Sequence, residues 1–303
     1  MQNPLSPSDS ALALLAITAL LVSACGSEPA SPAESAAALE PAAQPAPETA
    51  APSEPVSLQA LADGAHRSAE HRARNDHRRP VETLEFFGIK PDMTVVEVSP
   101  GGSGWYTEIL APYLRDGGLL YLGSYAPDAE EEYYRRNAKR FADKLAENPA
   151  LYGSAKVTVF DPPNQLDAAP AGSADMVLTF RNIHNWIGDG DAEVAMRAMY
   201  SYLKPGGVLG LVQHRGNSDM TDDPSAEMGY VRESDVIAMA EAVGFELAAR
   251  SEINANPKDT KDHPEGVWTL PPGYQLGDVD REKYAAIGES DRMTLKFVKP
   301  SDG

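Results

Sequence analysis

Only one cysteine, Cys25, stands in the 303 residues, so no disulfide can staple this fold or report on its compartment. Basic residues are also scarce: 26 Lys and Arg face 45 Asp and Glu, for a net charge of -19. Residues 1–55 carry six acids and no Lys or Arg, which leaves -13 on the remainder. That balance speaks against nucleic acid as a partner, because phosphate binding needs a basic face. A long apolar run is missing as well. The longest, residues 11–22, is interrupted by Thr18 and is too short to span a bilayer as a mature helix. What the chain does have, a hydrophobic share of 42%, is enough for one large core.

The short apolar run leads into Val22-Ser23-Ala24-Cys25-Gly26, an ending that resembles a bacterial lipobox. The resemblance implies cleavage before Cys25 and acylation of its thiol, hence a lipid anchor on the periplasmic side of the cell envelope. Residues 1–10 lack the Lys or Arg that a signal peptide normally carries. The alternative is a fortuitous apolar stretch on a cytoplasmic protein. Residues 26–55 are built almost wholly from Ala, Pro, Glu and Ser, with no periodic face to bury, and predict a disordered or partly extended tether. Residues 56–303 are left as the folded domain.

Within that domain the richest stretch is 94–110, TVVEVSPGGSGWYTEIL. An apolar β-branched run, 94–98, ends in a carboxylate and turns through glycines at 100–104 into a predicted helix over 105–114. Such a turn lets backbone approach a ligand closely and aims free helix amides at it. Strand-like runs follow at 119–122, 156–160, 176–180 and 208–213, alternating with helix-like runs at 128–147 and 189–203. This order predicts an α/β fold with a parallel sheet built from crossovers. A helix at 233–243 precedes two last strands, 245–253 and 293–298, which can pair antiparallel at one edge around a long polar insertion.

With these segments in view, the chain resembles the class I S-adenosylmethionine-dependent methyltransferases. It is more closely similar to a bacterial methyltransferase family with an E-V-x-P-G-G-x-W-Y-T-E-I-L block. The likeness runs from about residue 62 to 300. It is carried by RRPVETLEFFGIKPDMTVVEV, PGGSGWYTEILAPYL, FRNIHNW, LKPGG and GESDRMTLKFVKP. It implies a Rossmann-like fold: a mostly parallel seven-stranded sheet with an antiparallel edge strand and helices on both faces. It also implies S-adenosylmethionine as cofactor and a small-molecule acceptor. Glu97 would lie near the methionine amino group, Gly101, Gly102 and Gly104 beneath the cofactor, and Asp161 near the adenine. The chain departs from the pattern at two points. Ser99 replaces the first glycine in a turn one residue longer than the commonest form, and the second strand ends in Leu122-Gly123-Ser124-Tyr125 without the carboxylate that usually holds the ribose. Asp128 is the nearest substitute, but it reads better as the N-cap of the next helix.

For chemistry the strongest stretch is Arg181-Asn182-Ile183-His184-Asn185-Trp186, read as a loop, because it follows an apolar strand directly and ligands collect at such strand ends. Asn182 could fix cofactor or substrate, His184 could act as general base, Arg181 could bind an anion, and Trp186 could wall out water. Structural roles compete for His184, as a histidine bonded to backbone, and for Arg181, in a buried ion pair. Tyr106, His214 and Arg215 complete a polar rim. From Leu58 the spacing predicts a helix with Arg67, His71, Arg74 and Arg78 on one face, read as solvated and paired with surface acids or else as closing over the site. The insertion 254–290 can form a lid. Its Asp259, Asp262 and His263 lack further metal ligands, so no metal is expected. Two functions remain open: a methyltransferase, or a lipid-anchored binding module on the same fold. A hydrolase or isomerase using His184 and Arg181 is a third, weaker alternative.

Overall fold

The computed structural model describes residues 56–220 and 225–301, so the expected signal segment, Cys25 and the tether lie outside the described residues. Four short helices open the domain: α1 (Leu58–Ala62), α2 (Ala69–Ala73), α3 (Asn75–Arg78) and α4 (Pro80–Phe87). Then come β1 (Thr94–Val98), α5 (Thr107–Leu114), β2 (Leu119–Ser124), α6 (Glu132–Glu147), α7 (Pro149–Tyr152) and β3 (Lys156–Val159). Next are β4 (Ala174–Phe180), α8 (Ile183–Gly188), α9 (Ala192–Tyr202), β5 (Leu203–His214), α10 (Ser225–Met228) and α11 (Glu233–Ala242). The described chain ends with β6 (Glu246–Ser251), α12 (Arg281–Ile287) and β7 (Arg292–Val298).

The seven strands form one sheet in the order β3-β2-β1-β4-β5-β7-β6. Strands β3 to β5 pair in parallel, and β7 runs antiparallel to both β5 and β6. The antiparallel strand expected at the edge therefore sits one place in, with β6 outermost. Side chains along each strand alternate between two apolar layers, as the two-residue period requires. Val95, Met176 and Leu178 face a layer with Leu84, Phe87, Ile109 and Leu110, whereas Val96, Val98 and Val177 face Met196, Met199 and Phe297. Both faces are thus covered, which explains why β1 and β4 read as continuous apolar runs. The chain reverses its winding between β1 and β4, and a crevice opens there beyond the strands' carboxyl ends.

Three local expectations are corrected. The helix predicted from Leu58 breaks into three, because Asp63-Gly64 ends α1 and the Ser68 side chain caps α2 by accepting from His71 N. Its basic face is not solvated: Arg67 and Arg78 are buried. Arg67 Nε donates to Glu108 at 3.1 Å, and His71 and Lys144 reach the same carboxylate, so Glu108 ties the N-terminal segment to α5 and α6. Burial pushes the Glu108 carboxyl up, but these partners hold it at about 2. Asp128 is not a cap, since α6 starts at Glu132 with Glu131 before it. FRNIHNW is not a loop either, because Ile183–Gly188 forms α8.

The insertion between β6 and β7 is fixed to the body at several points. Asn254 Nδ2 bridges Thr83 Oγ1 at 3.0 Å and Thr294 Oγ1 at 2.9 Å. Asp259 accepts from Tyr230 Oη at 2.9 Å and from the Asp291 backbone N at 2.7 Å, and lies 2.9 Å from His263 Nε2. A buried polar network with every member satisfied holds a segment in one place. The insertion, expected as a lid, is thus tied to the body at these points and contributes Trp268 and Gln275 to the wall of the crevice.

Candidate functional site

A cleft of about 820 Å3 opens beyond β1 and β4. Its wall includes Glu97, Ser99, Gly101, Gly102, Tyr106, Tyr125, Phe180, Arg181, Asn182, His184, His214 and, from the insertion, Trp268 and Gln275. The three glycines of the turn differ in role. Gly101 has φ +69°, and a Cβ there would meet nothing within 4 Å, so its backbone borders open space. A Cβ on Gly102 would strike Asn137 Oδ1 at 2.5 Å, and one on Gly104 would strike the Phe141 ring at 2.6 Å. Those two glycines let α6 dock. Gly104, expected beneath the cofactor, is absent from the cleft wall.

Glu97 closes β1 on the same face as Val95, under the start of α5. It is 2% exposed, accepts a hydrogen bond from Thr107 Oγ1 at 2.7 Å, and has no cation within ion-pair distance among the described residues. Burial raises its carboxyl to about 7, with the Thr107 bond opposing. In the unfolded chain this acid ionises near 4.5, so stability falls as pH rises from there toward 7, by about 3 kcal/mol in all. Next to it, Ser99 holds φ +50° where glycine is the easy choice, a strain of about 1 kcal/mol. Its buried Oγ has no hydrogen-bond partner among the described residues.

Asn182 spends its amide on the scaffold. Nδ2 donates to Val98 O and Ser99 O, both at 3.2 Å, and to Thr179 Oγ1 at 3.1 Å, which locks the end of β1 to the end of β4. Asn182 is thus a positioning residue. Asp161 does not line the main cleft. It lies in a small adjoining hollow with Pro162 and Trp186, which shares Ser99, Tyr125 and Asn182 with the cleft. Burial raises the Asp161 carboxyl, and Asp128 and Asp191 add to the shift. At the end of β2, half-buried Tyr125 occupies the wall; Asp128 is exposed and outside it.

His184 is buried, and burial, reinforced by Arg181, lowers it to about 4. Gln213 Nε2 donates to Gly229 O at 3.0 Å, which fixes its amide orientation, and lies 3.0 Å from His184 Nδ1, with Gln213 Oε1 farther from that nitrogen at 3.4 Å. With the nearer Gln213 atom, Nε2, donating to Nδ1, the neutral ring carries its proton on Nε2, and burial takes it away from the near-neutral base expected. His214 Nδ1 lies 2.5 Å from Ser290 Oγ, and burial with neighbouring cations lowers it too. The two rings are 5.5 Å apart and flank Trp268 at 5.3 and 6.2 Å. Arg181, at φ +66°, is held by its backbone N donating to Val212 O at 2.7 Å. Burial and Arg74 lower its guanidinium to about 10.

No protein-family model matches this sequence, and no curated protein matches it. Among solved structures, a candidate sarcosine dimethylglycine methyltransferase from Galdieria sulphuraria aligns with a TM-score of 0.51 at 14% identity, over 76% of this chain and 87% of that one. The fold is that of the class I methyltransferases. A SAM-dependent methyltransferase from Aquifex aeolicus (TM-score 0.49, 16% identity, 80% of this chain and 96% of that one) is also similar. So is one from Methanosarcina mazei (0.47, 13%, 72% and 98%). At these identities the likeness reaches the fold and no further, since sites rather than folds determine activity.

The cleft thus brings together Glu97, Gly101, Gly102, Arg181, Asn182, His184, Tyr106 and His214. It does not include Arg215, which pairs with Asp291 at 3.1 Å and Glu252 at 2.6 Å. Tyr125, Phe180, Gln213, Trp268 and Ser290 were not foreseen. Gln213 had a signal, a lone amide closing an apolar strand; Trp268 had none, because the insertion carries no period. If His184 is a neutral Nε2–H donor, 15N NMR of the histidine rings will show Nδ1 unprotonated at pH 7 and a titration near 4. Protonation near 6.5 contradicts this.

Proposed function

We propose that this chain is an S-adenosylmethionine-dependent methyltransferase acting on a small molecule. The observation that carries the reading is Glu97: a buried carboxyl with no cation of its own suits a ligand that brings one, and the cofactor's methionyl ammonium supplies that charge. The partnerless Ser99 hydroxyl and the open space at Gly101 fit a polar group pressed against the turn. When bound, the cofactor supplies an electrophilic methyl on a sulfonium. Glu97 then holds the ammonium, Asn182 keeps the ends of β1 and β4 in register, and the hollow beside Asp161 receives the adenine. His184 offers Nε2–H to the acceptor, while Trp268 and the stacked Tyr106–Phe180 pair, 3.6 Å between centroids, exclude water. Transfer of this kind depends mainly on alignment, which a rigid wall provides.

A lipid-anchored, non-catalytic binding module is the second reading, favoured by Tyr125 standing where a ribose carboxylate is usual. Calorimetric titration of the full chain with S-adenosylmethionine separates the two. The enzyme reading predicts a micromolar Kd, about -8 kcal/mol, weakened about 10- to 100-fold by Glu97→Gln. No heat at millimolar ligand supports the module instead. The anchor at Cys25 belongs with envelope localisation, whereas a cofactor made in the cytoplasm suits an intact, unprocessed chain. Under the anchor proposal, Cys25→Ser moves the protein from the membrane to the soluble fraction on sedimentation; persistence in the membrane fraction counts against acylation.

A further inference from the structure

Part of the cleft wall is basic. Glu289, buried, is shared by three guanidinium groups: Arg74 Nε at 2.6 Å, Arg78 Nε at 3.2 Å and a terminal nitrogen of Arg292 at 3.1 Å. Arg181 lines the cleft beside Arg78 and is within electrostatic reach of this group, and its guanidinium has no hydrogen bond or ion pair among the described residues. Arg292 Nε is also buried without a hydrogen-bond partner among the described residues. Three cations on one carboxylate leave this group with an excess of positive charge, to which Arg181 adds. Two of them, Arg78 and Arg181, reach the cleft. A partly desolvated arginine with no anion of its own is costly unless something brings the charge it lacks.

We infer that the methyl acceptor is a small anion whose carboxylate or phosphate seats on Arg181 beside Arg78. The assignment rests on the methyltransferase reading. A guanidinium fork matches either group with paired hydrogen bonds, which a lysine point charge does not. The rest of the wall agrees with a flat acidic molecule. His184 presents a neutral N–H donor, and Trp268, Phe180 and Tyr106 add aromatic surface to the same wall. Because the domain is acidic overall, an anion enters only where the field is locally reversed, and the arginine group provides that reversal.

The test uses the full chain loaded with S-adenosylhomocysteine, which occupies the cofactor site without turnover, and calorimetry with benzoate, inorganic phosphate and neutral benzamide. At least one anion is expected to bind about tenfold or more tighter than benzamide. A preference for benzoate identifies a carboxylate acceptor, and a preference for phosphate a phosphorylated one. Arg181→Gln should bring that anion down to benzamide's level while S-adenosylhomocysteine affinity changes less than about twofold, and Arg181→Lys should retain part of the preference. Equal binding of benzamide and both anions overturns the assignment. So does a tenfold loss of S-adenosylhomocysteine affinity in Arg181→Gln, which would give Arg181 to the cofactor's own carboxylate. If the wild type takes up no S-adenosylhomocysteine, the methyltransferase reading falls and the acceptor assignment falls with it.

Discussion

An acid buried without a cation is the constraint round which this domain is arranged. Glu97 ends β1 in an apolar layer and finds a single hydroxyl, Thr107, within reach. Elsewhere the fold pairs its buried charges with care: Glu108 takes Arg67, His71 and Lys144, and Glu289 takes three arginines. The unpaired charges that remain on the cleft wall are thus exceptions to a rule that the same chain follows nearby. Glu97 and Arg181 line the same cleft, with no ion pair between them. Around them Asn182 ties the ends of β1 and β4 together, and the insertion is bonded to β7 through Asn254. A cleft walled by a buried acid and a guanidinium, neither paired among the described residues, is suited to a ligand pair that carries both signs.

Much of this frame was legible in the sequence. The β-branched run at 94–98 and the glycines after it could fold in few other ways, and alternation of apolar runs with helical periods led directly to a parallel sheet. Burial on both faces made those runs continuous, so their bounds were clear. Position 99 was also legible as a departure, and the structure supplies its consequence, a serine in left-handed backbone with an idle hydroxyl.

The charges were harder to read, for a physical reason. The spacing of Arg67, His71, Arg74 and Arg78 fits a helix face, and a helix face of that kind is usually wet. What buries Arg67 and Arg78 is Glu108 and Glu289, 41 and 211 residues away in sequence, and no local period reports such partners. The same distance hid Trp268 and Ser290 beside His214. FRNIHNW looked like a loop because its polar residues follow no amphipathic pattern; α8 is short and its histidine points into a polar pocket built by Gln213. Local propensity therefore located the site, while its electrostatics were fixed by contacts across the fold.

The Glu97 carboxyl can be followed directly by 13C NMR in the full chain as pH is varied, with and without S-adenosylhomocysteine. Burial without a cation predicts a midpoint near 7 in the free protein, falling to the ordinary carboxylate range when the ligand's ammonium arrives. A midpoint already near 4.5 in the free protein, or one near 7 that the ligand leaves unmoved, would contradict the account.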